Sequence, residues 1–209
     1  MPLQNRVDPY GRLIAVSARG SFLGNRGILH NDNKEIVSQY KHKAWVTCAL
    51  SFKGIKREIF GPNRYSELFF LDEATAFSAG HRPCAHCRKA RYNEFKAAWI
   101  AANAEAVDSQ ISVQQIDAVL HKARVTKGAQ KVTYSAHLAD LPSGTFVELD
   151  DKPYLLWHKT LYLWSPEGYE KSDVAVLAIG SVTVLTPKSV VKIYEKGFLP
   201  ELHISLPHD

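Results

Sequence analysis

The order of apolar and polar positions predicts short strands and loops at the start of the chain. Residues 12–18 and 44–52 are rich in apolar and β-branched side chains and indicate extended segments. Between them, Gly20, Gly24 and Gly27 interrupt this pattern and predict a loop. The N-terminal part is therefore expected to begin with β-structure.

The next segment predicts two helices. Asp72 is a good N-cap for a short helix over residues 73–79, and Gly80 stands where such a helix ends in a left-handed residue. A tight loop follows, and a second helix is predicted over residues 88–102. Three aromatic residues at three- and four-residue spacing share one face of this helix: Tyr92, Phe95 and Trp99.

A stretch of small and polar residues around 103–110 predicts a domain boundary. We expect one domain over residues 1–107 and a second over residues 108–209. Ser112 and Gln115 have the spacing of a capping box, so a third, amphipathic helix is expected to begin there.

The last part of the chain has mainly the pattern of β-structure. Strands are expected at residues 145–149, 154–157, 160–164, 174–178 and 181–185. A final helix is predicted with Thr186 as its cap, Pro187 at its first position and Gly197 just past its end. The whole pattern predicts an α+β protein, in which a small, mostly antiparallel sheet with flanking helices follows an N-terminal part of short strands and helices.

Composition limits the class of protein. With 209 residues, 45% of them hydrophobic and 22% charged, the chain is typical of a globular protein. No apolar run approaches the roughly 20 residues that cross a bilayer, and the first ten residues lack the order of a secretory signal, so we expect a cytoplasmic protein. Three cysteines do not suit a disulfide framework. In a reducing compartment, a close pair more often binds metal or does redox chemistry.

Charge is unevenly distributed along the chain. Residues 1–100 carry 16 Lys and Arg against 8 Asp and Glu, whereas residues 101–209 carry 10 against 13. Every arginine except Arg124 lies in the first hundred residues. Because the planar fork of arginine suits phosphate and guanine edges, an anionic partner is predicted for the N-terminal half. A solvated basic face that serves only solubility is the alternative.

The segment Cys84-Ala85-His86-Cys87 brings two sulfurs within one turn, as a tetrahedral ion requires. Residues 69–88, FFLDEATAFSAGHRPCAHCR, surround it. This stretch resembles the second half of the zinc-binding module of Ada-type methyl-transfer proteins, in which an Ala-rich helix precedes Ala-Gly, an aromatic residue and Arg-Pro-Cys-x-x-Cys-Arg. Here His81 replaces the aromatic residue.

The resemblance implies one zinc ion per chain, held by Cys84, Cys87 and ligands from an upstream strand. The family has a cysteine pair there, whereas this chain has only Cys48, with 35 residues between it and Cys84. His42 is the first choice for a fourth ligand, and His86 and His81 are alternatives. Two other interpretations remain open, namely that Cys48 is an ordinary core cysteine and that the module has lost its metal.

Two further chemistries fit the same cysteines. A CxxC pair before a helix is also similar to the motif of DsbA-like thiol–disulfide oxidoreductases, because a helix N-terminus favours the thiolate. The resemblance to Ada implies a third function, acceptance of a methyl group from DNA phosphotriesters by a zinc-bound cysteine. Cys48 is the residue that would have this role.

The function that the sequence favours is association with nucleic acid, with DNA as the expected partner, through a structural zinc module. The Gly-rich segment with its arginines suits phosphate, and basic residues interleaved with aromatic ones suit backbone and bases. The alternative for the Gly-rich segment is a structural turn between strands, and the alternative for the interleaved aromatic residues is that they belong to the core. The nucleic-acid-binding candidates are Arg19, Arg26, Lys53, Lys56, Arg57, Arg88, Lys89 and Arg91.

Overall fold

A computed structural model describes residues 1–54, 58–103, 111–176 and 179–206. In these ranges the protein consists of two six-stranded sheets and four α-helices, which confirms the predicted α+β class. The first sheet has the order β2-β1-β5-β3-β4-β6, with β1–β5 and β4–β6 as its parallel pairs. Its strands are β1 (Gln4–Val7), β2 (Leu13–Ala15), β3 (Phe22–Asn25), β4 (Val46–Ala49), β5 (Leu68–Phe70) and β6 (Arg82–Pro83).

The second sheet is antiparallel throughout its paired strands and has the order β11-β10-β9-β8-β12-β7. The mostly antiparallel sheet predicted for the C-terminal part is thereby confirmed. Its strands are β7 (Tyr134–His137), β8 (Phe146–Leu149), β9 (Lys152–Trp157), β10 (Thr160–Ser165), β11 (Gly168–Lys171) and β12 (Ser181–Val184).

The four helices begin and end close to the predicted positions. They are α1 (Glu73–Ser78), α2 (Lys89–Asn103), α3 (Val113–Arg124) and α4 (Lys188–Glu195). The side chain of Asp72 accepts a hydrogen bond from the Thr75 amide at 2.8 Å, and Ser112 and Gln115 form a reciprocal capping box. Gly80 has a φ of +84°, as the left-handed end of α1 requires.

Three local predictions were wrong. The glycine segment is not only a loop, because β3 includes Gly24 and an added Cβ there would lie 2.4 Å from the Phe70 ring. The described part of 174–178 contains no strand, and residues 177 and 178 lie outside the described ranges. Thr186 does not cap α4: its hydroxyl accepts from the Phe146 amide at 2.8 Å, and Pro187 occupies the N-cap position.

Hydrophobic clusters connect the two halves of the chain. Phe77 and Phe95 pack in one buried cluster with Ile193, and Leu71 packs in another with Phe146. Between the sheets, every residue of α1 is buried. The predicted boundary near residue 107 falls outside the described residues, and the cores on its two sides are shared.

No helix in the described ranges combines the length and the apolar character needed to cross a bilayer.

Candidate metal centre

Three cysteines from distant parts of the chain lie together. The sulfur atoms of Cys48, Cys84 and Cys87 all lie within 4.8 Å of one another, and all three side chains are half-buried. All three are free thiols. Two thiolates on a tetrahedral zinc ion lie about 3.8 Å apart when each Zn–S bond is about 2.3 Å long. The cluster is therefore compact enough to hold a metal ion.

Strand pairing places Cys48 beside Cys84. β4 and β6 run parallel, with Thr47 opposite Pro83, and the Cys84 amide continues the ladder by donating to the Thr47 carbonyl at 2.9 Å. The chain then turns, and the Arg88 amide donates to the Cys84 carbonyl at 3.1 Å just before α2. This turn returns Cys87 to the same side as the other two sulfurs.

Arg88 fixes the start of α2 against the rest of the molecule. Its guanidinium donates to the Thr47 hydroxyl at 2.9 Å and contacts two carboxylates, those of Glu73 at 2.9 Å and Glu201 at 3.0 Å. It also lies 4.3 Å from the centre of the Phe22 ring. These contacts join β4, α1 and the C-terminal segment at the cysteine loop, so Arg88 positions Cys87 relative to Cys48.

The three thiols do not ionise independently. A hydrogen bond from Cys48 is the largest cause that lowers the pKa of Cys84, and backbone amides of Cys87 and His86 act in the same direction. The same bond to Cys84, followed by burial, raises the pKa of Cys48. Burial raises the pKa of Cys87. The cluster thus favours one thiolate, at Cys84, and a metal ion that binds all three sulfurs must displace protons.

The structure does not bring the predicted histidine ligands to the three sulfurs. Within the described ranges, the group of clustered ligand atoms contains the cysteines alone. Burial and the charge of Arg124 lower the pKa of His42, which lies beside Gly27. His86 is exposed and contacts Phe52, with the ring centres 5.0 Å apart. His81 is fully buried, and its Nε2 accepts from Arg26 at 3.1 Å.

Several of the predicted nucleic-acid contacts are occupied by internal partners. Arg26 is buried, and Arg88 is held as described above. Arg91 contacts Glu73 at 2.6 Å and Glu94 at 3.0 Å. Arg19, Lys53 and Lys89 are exposed. Lys56 and Arg57 lie outside the described residues.

Two residues that hold the site together are not recognisable from the sequence. Glu73 is fully buried and pairs with both Arg88 and Arg91, and Thr47 contributes its carbonyl to Cys84 and its hydroxyl to Arg88. A glutamate in the first turn of a helix is ordinary in a sequence. The two arginines at the start of the next helix, Arg88 and Arg91, are the signal in the sequence that this glutamate could have a partner.

No family model, curated protein or solved structure matches the chain.

Proposed function

We propose that the protein binds one zinc ion through the thiolates of Cys48, Cys84 and Cys87. The observation that carries the proposal is that three sulfurs, one from a strand and two from a distant loop, lie within 4.8 Å of one another. Thiolates are soft ligands that favour zinc among the common intracellular divalent ions. The resemblance of residues 69–88 to an Ada-type zinc module supports the same assignment and the same ion.

The zinc ion would have a structural role. Cys48 lies at the end region of β4, and Cys84 and Cys87 lie between β6 and α2, so one ion would tie these three elements together. Structural zinc contributes strongly to folding when its ligands are distant in the sequence. A tetrahedral ion takes a fourth ligand, and we propose that His42 or His86 supplies it after a movement of its side chain, because neither lies with the three sulfurs in this structure.

Metal analysis of protein purified without chelator tests the proposal. We expect one zinc per chain, its loss in Cys48→Ser, Cys84→Ser or Cys87→Ser, and release of protons when apo-protein is titrated with zinc. Cobalt substitution would show intense sulfur-to-metal charge transfer. His42→Ala and His86→Ala, compared under the same conditions, identify the fourth ligand as the variant whose zinc affinity falls.

Metal analysis combined with thiol reactivity also distinguishes the zinc site from the redox alternative. A closed zinc site protects its thiolates, whereas a redox pair reacts rapidly with thiol reagents. If the isolated protein contains no metal and Cys84 and Cys87 cycle reversibly between dithiol and disulfide, the zinc proposal is withdrawn in favour of the oxidoreductase.

A second proposal is that the surface around the cysteine loop binds nucleic acid, with DNA as the favoured partner. Phe52 packs against His86 of that loop, and the next residue, Lys53, is exposed. Lys89, also exposed, begins α2 directly after the loop. Two lysines and a half-buried aromatic ring beside one loop form the mixture that contacts phosphates and bases.

Charge reversal tests this surface. For duplex DNA, log affinity should fall with log salt by about 0.9 per phosphate neutralised. Lys53→Glu with Lys89→Glu should weaken binding to all sequences and reduce the slope by about 2. Lys152→Glu with Lys171→Glu makes the same change of charge on exposed residues of the second sheet and should leave binding nearly unchanged. If both double variants lose the same affinity for DNA, the overall charge of the protein explains the binding and the proposed surface does not.

A further inference from the structure

A cavity of about 280 Å³ lies beside the first strands and the end of α3, apart from the cysteines. Its wall includes four basic side chains, Arg12, Arg26, Arg124 and Lys131, together with the aromatic rings of Tyr10 and Trp45. Ala79, Val125 and Ala129 add apolar surface. The cavity therefore combines concentrated positive charge with a largely carbon-lined wall.

Arg26 and Arg124 are buried and have hydrogen-bonding capacity left over. Arg26 donates to His81 Nε2 at 3.1 Å and to the Gly11 carbonyl at 2.9 Å, while its Nη2 has no partner in the described part of the chain. Arg124 donates to the carbonyls of Gly80 at 2.8 Å and Lys43 at 2.6 Å and lies 3.1 Å from Nδ1 of His121, and its Nε likewise has no partner in the described part of the chain. All these acceptors are neutral groups.

The nearest carboxylates already pair with other arginines. Asp8 contacts Arg12 at 2.6 Å, and Asp117 contacts Arg82 at 2.7 Å. Within the described ranges, no carboxylate oxygen lies within 4.0 Å of the charged groups of Arg26, Arg124 or Lys131. Arg26, Arg124 and Lys131 therefore have no direct counter-charge from the described residues.

The ring of Trp45 stabilises two of these buried cations. The guanidinium carbons of Arg26 and Arg124 lie 4.0 and 3.9 Å from the centre of its ring. A cation–π contact offsets only part of the cost of burying an ion. Accordingly, burial lowers the pKa of both arginines to about 9 and that of Lys131 to about 7.

We propose that this cavity binds a small organic oxyanion, a carboxylate or a phosphate monoester on a compact apolar body. The oxyanion would lie against the side chains of Arg26, Arg124 and Lys131, which would supply its counter-charge, and the apolar body would contact the carbon-lined wall. The cavity lies just below the range of about 300–1,000 Å³ that drug-sized ligands occupy. A ligand of one ring or a few carbons fits that size.

Calorimetric and thermal-shift titrations of the purified protein with benzoate and phenyl phosphate test the proposal, at constant ionic strength. Benzamide, which has the same ring and no charge, is the neutral control. Saturable binding of at least one anion, ten-fold or more tighter than benzamide, is expected. A ten-fold preference between the two anions identifies the charged group as carboxylate or phosphate, and equal affinity identifies an unselective oxyanion site. Anions that stabilise the protein no more than chloride does would overturn the proposal.

A variant that supplies the missing negative charge tests the location without removing a buried arginine. Gln130 lines the cavity and is exposed, so Gln130→Glu should fold, and its carboxylate should compete with the ligand. We expect a ten-fold or greater loss of anion affinity and a higher unfolding temperature in the absence of ligand. Gln114→Glu, on the exposed side of α3, makes the same change of charge outside the cavity and should bind as the wild type does. Equal binding by all three proteins would place the anion elsewhere and overturn the assignment.

Discussion

Gly80 has a left-handed backbone and lies directly against the buried side chain of Arg124. It has a φ of +84°, and an added Cβ would lie 2.5 Å from the Cδ of Arg124. Gly54 provides a matched control, because its φ is +67° and, among the residues that the structure describes, nothing lies within 4 Å of the added atom. The two positions share the left-handed backbone and differ in the space around it.

Gly80→Ala should therefore destabilise the protein more than Gly54→Ala does. The left-handed conformation costs an alanine about 1–2 kcal/mol, and overpacking adds about 1–3 kcal/mol at Gly80 alone. Urea unfolding should show a free-energy loss of about 3 kcal/mol for Gly80→Ala and about 1 kcal/mol for Gly54→Ala. Equal losses would mean that Arg124 moves aside without cost.

Lys131 makes stability depend on pH. Burial lowers its pKa to about 7 in the folded protein, with Arg26 and Arg124 acting in the same direction and Asp8 against it. The unfolded lysine titrates near pH 10.4, so between about pH 7 and 10 the unfolded chain binds more protons and stability rises with pH. Lys131→Met should be more stable than the wild type at pH 6, and this difference should shrink as pH approaches 10. A difference that is independent of pH would show that Lys131 has an ordinary pKa.

At the residue scale, the sequence predicts the features that depend on neighbours along the chain. Asp72 and Gly80 were recognisable because a cap and a helix end are local. The position of Arg26 was not, because its burial depends on Trp45 and His81, which arrive through strand pairing. A charge count cannot distinguish an exposed arginine from a buried one, and so the basic surplus overstated the surface available to nucleic acid.

At the scale of elements, the two helix caps differ in what else they bind. Asp72 accepts from the amide and hydroxyl of Thr75 and also from the hydroxyl of Tyr169, at 2.7 Å. The Ser112 side chain accepts only from the amide of Gln115 among the bonds that the described residues form, at 3.3 Å. The first cap joins α1 to the second sheet, whereas the second completes a helix end near the surface.

Replacement of the two caps should separate these roles. Ser112→Ala should cost about 1 kcal/mol, as for an ordinary N-cap. Asp72→Ala also leaves buried donors without a partner, each at a cost of about 1–3 kcal/mol, so its total loss should be at least twice as large. Thermal and urea unfolding of both variants measure the difference. If the two losses are the same, the bonds of Asp72 to the second sheet contribute nothing net.

Pairings between elements explain the errors in the predicted strands. The apolar run at 174–178 has the composition of a strand, yet the partner positions beside β10 and β12 are occupied by β11 and β7. Thr186 is a residue type that often caps helices, yet its hydroxyl accepts a hydrogen bond from the amide of Phe146, the first residue of β8. The three sulfurs likewise meet through the β4–β6 pairing, which the spacing between Cys48 and Cys84 does not specify.

At the scale of the whole molecule, α1 links the two sheets. Trp164 donates from its indole to the Thr75 hydroxyl at 3.0 Å, and Tyr169 donates to Asp72. Phe77, on the same helix, packs with Phe95 of α2 and with Ile193 of α4. Neither half of the chain buries these side chains by itself.

We therefore expect the protein to unfold in a single transition. Far-UV circular dichroism and intrinsic fluorescence, to which Trp45 beside the first sheet and Trp164 in the second both contribute, should give the same urea midpoint. Phe77→Ala should lower both midpoints together, because truncation of a buried phenylalanine reduces the free energy of unfolding by about 3–5 kcal/mol. Val119→Ala, which shortens an exposed side chain on α3, is the control and should change both midpoints little. Two separated transitions, with Phe77→Ala affecting only one, would instead support independent domains on either side of residue 107.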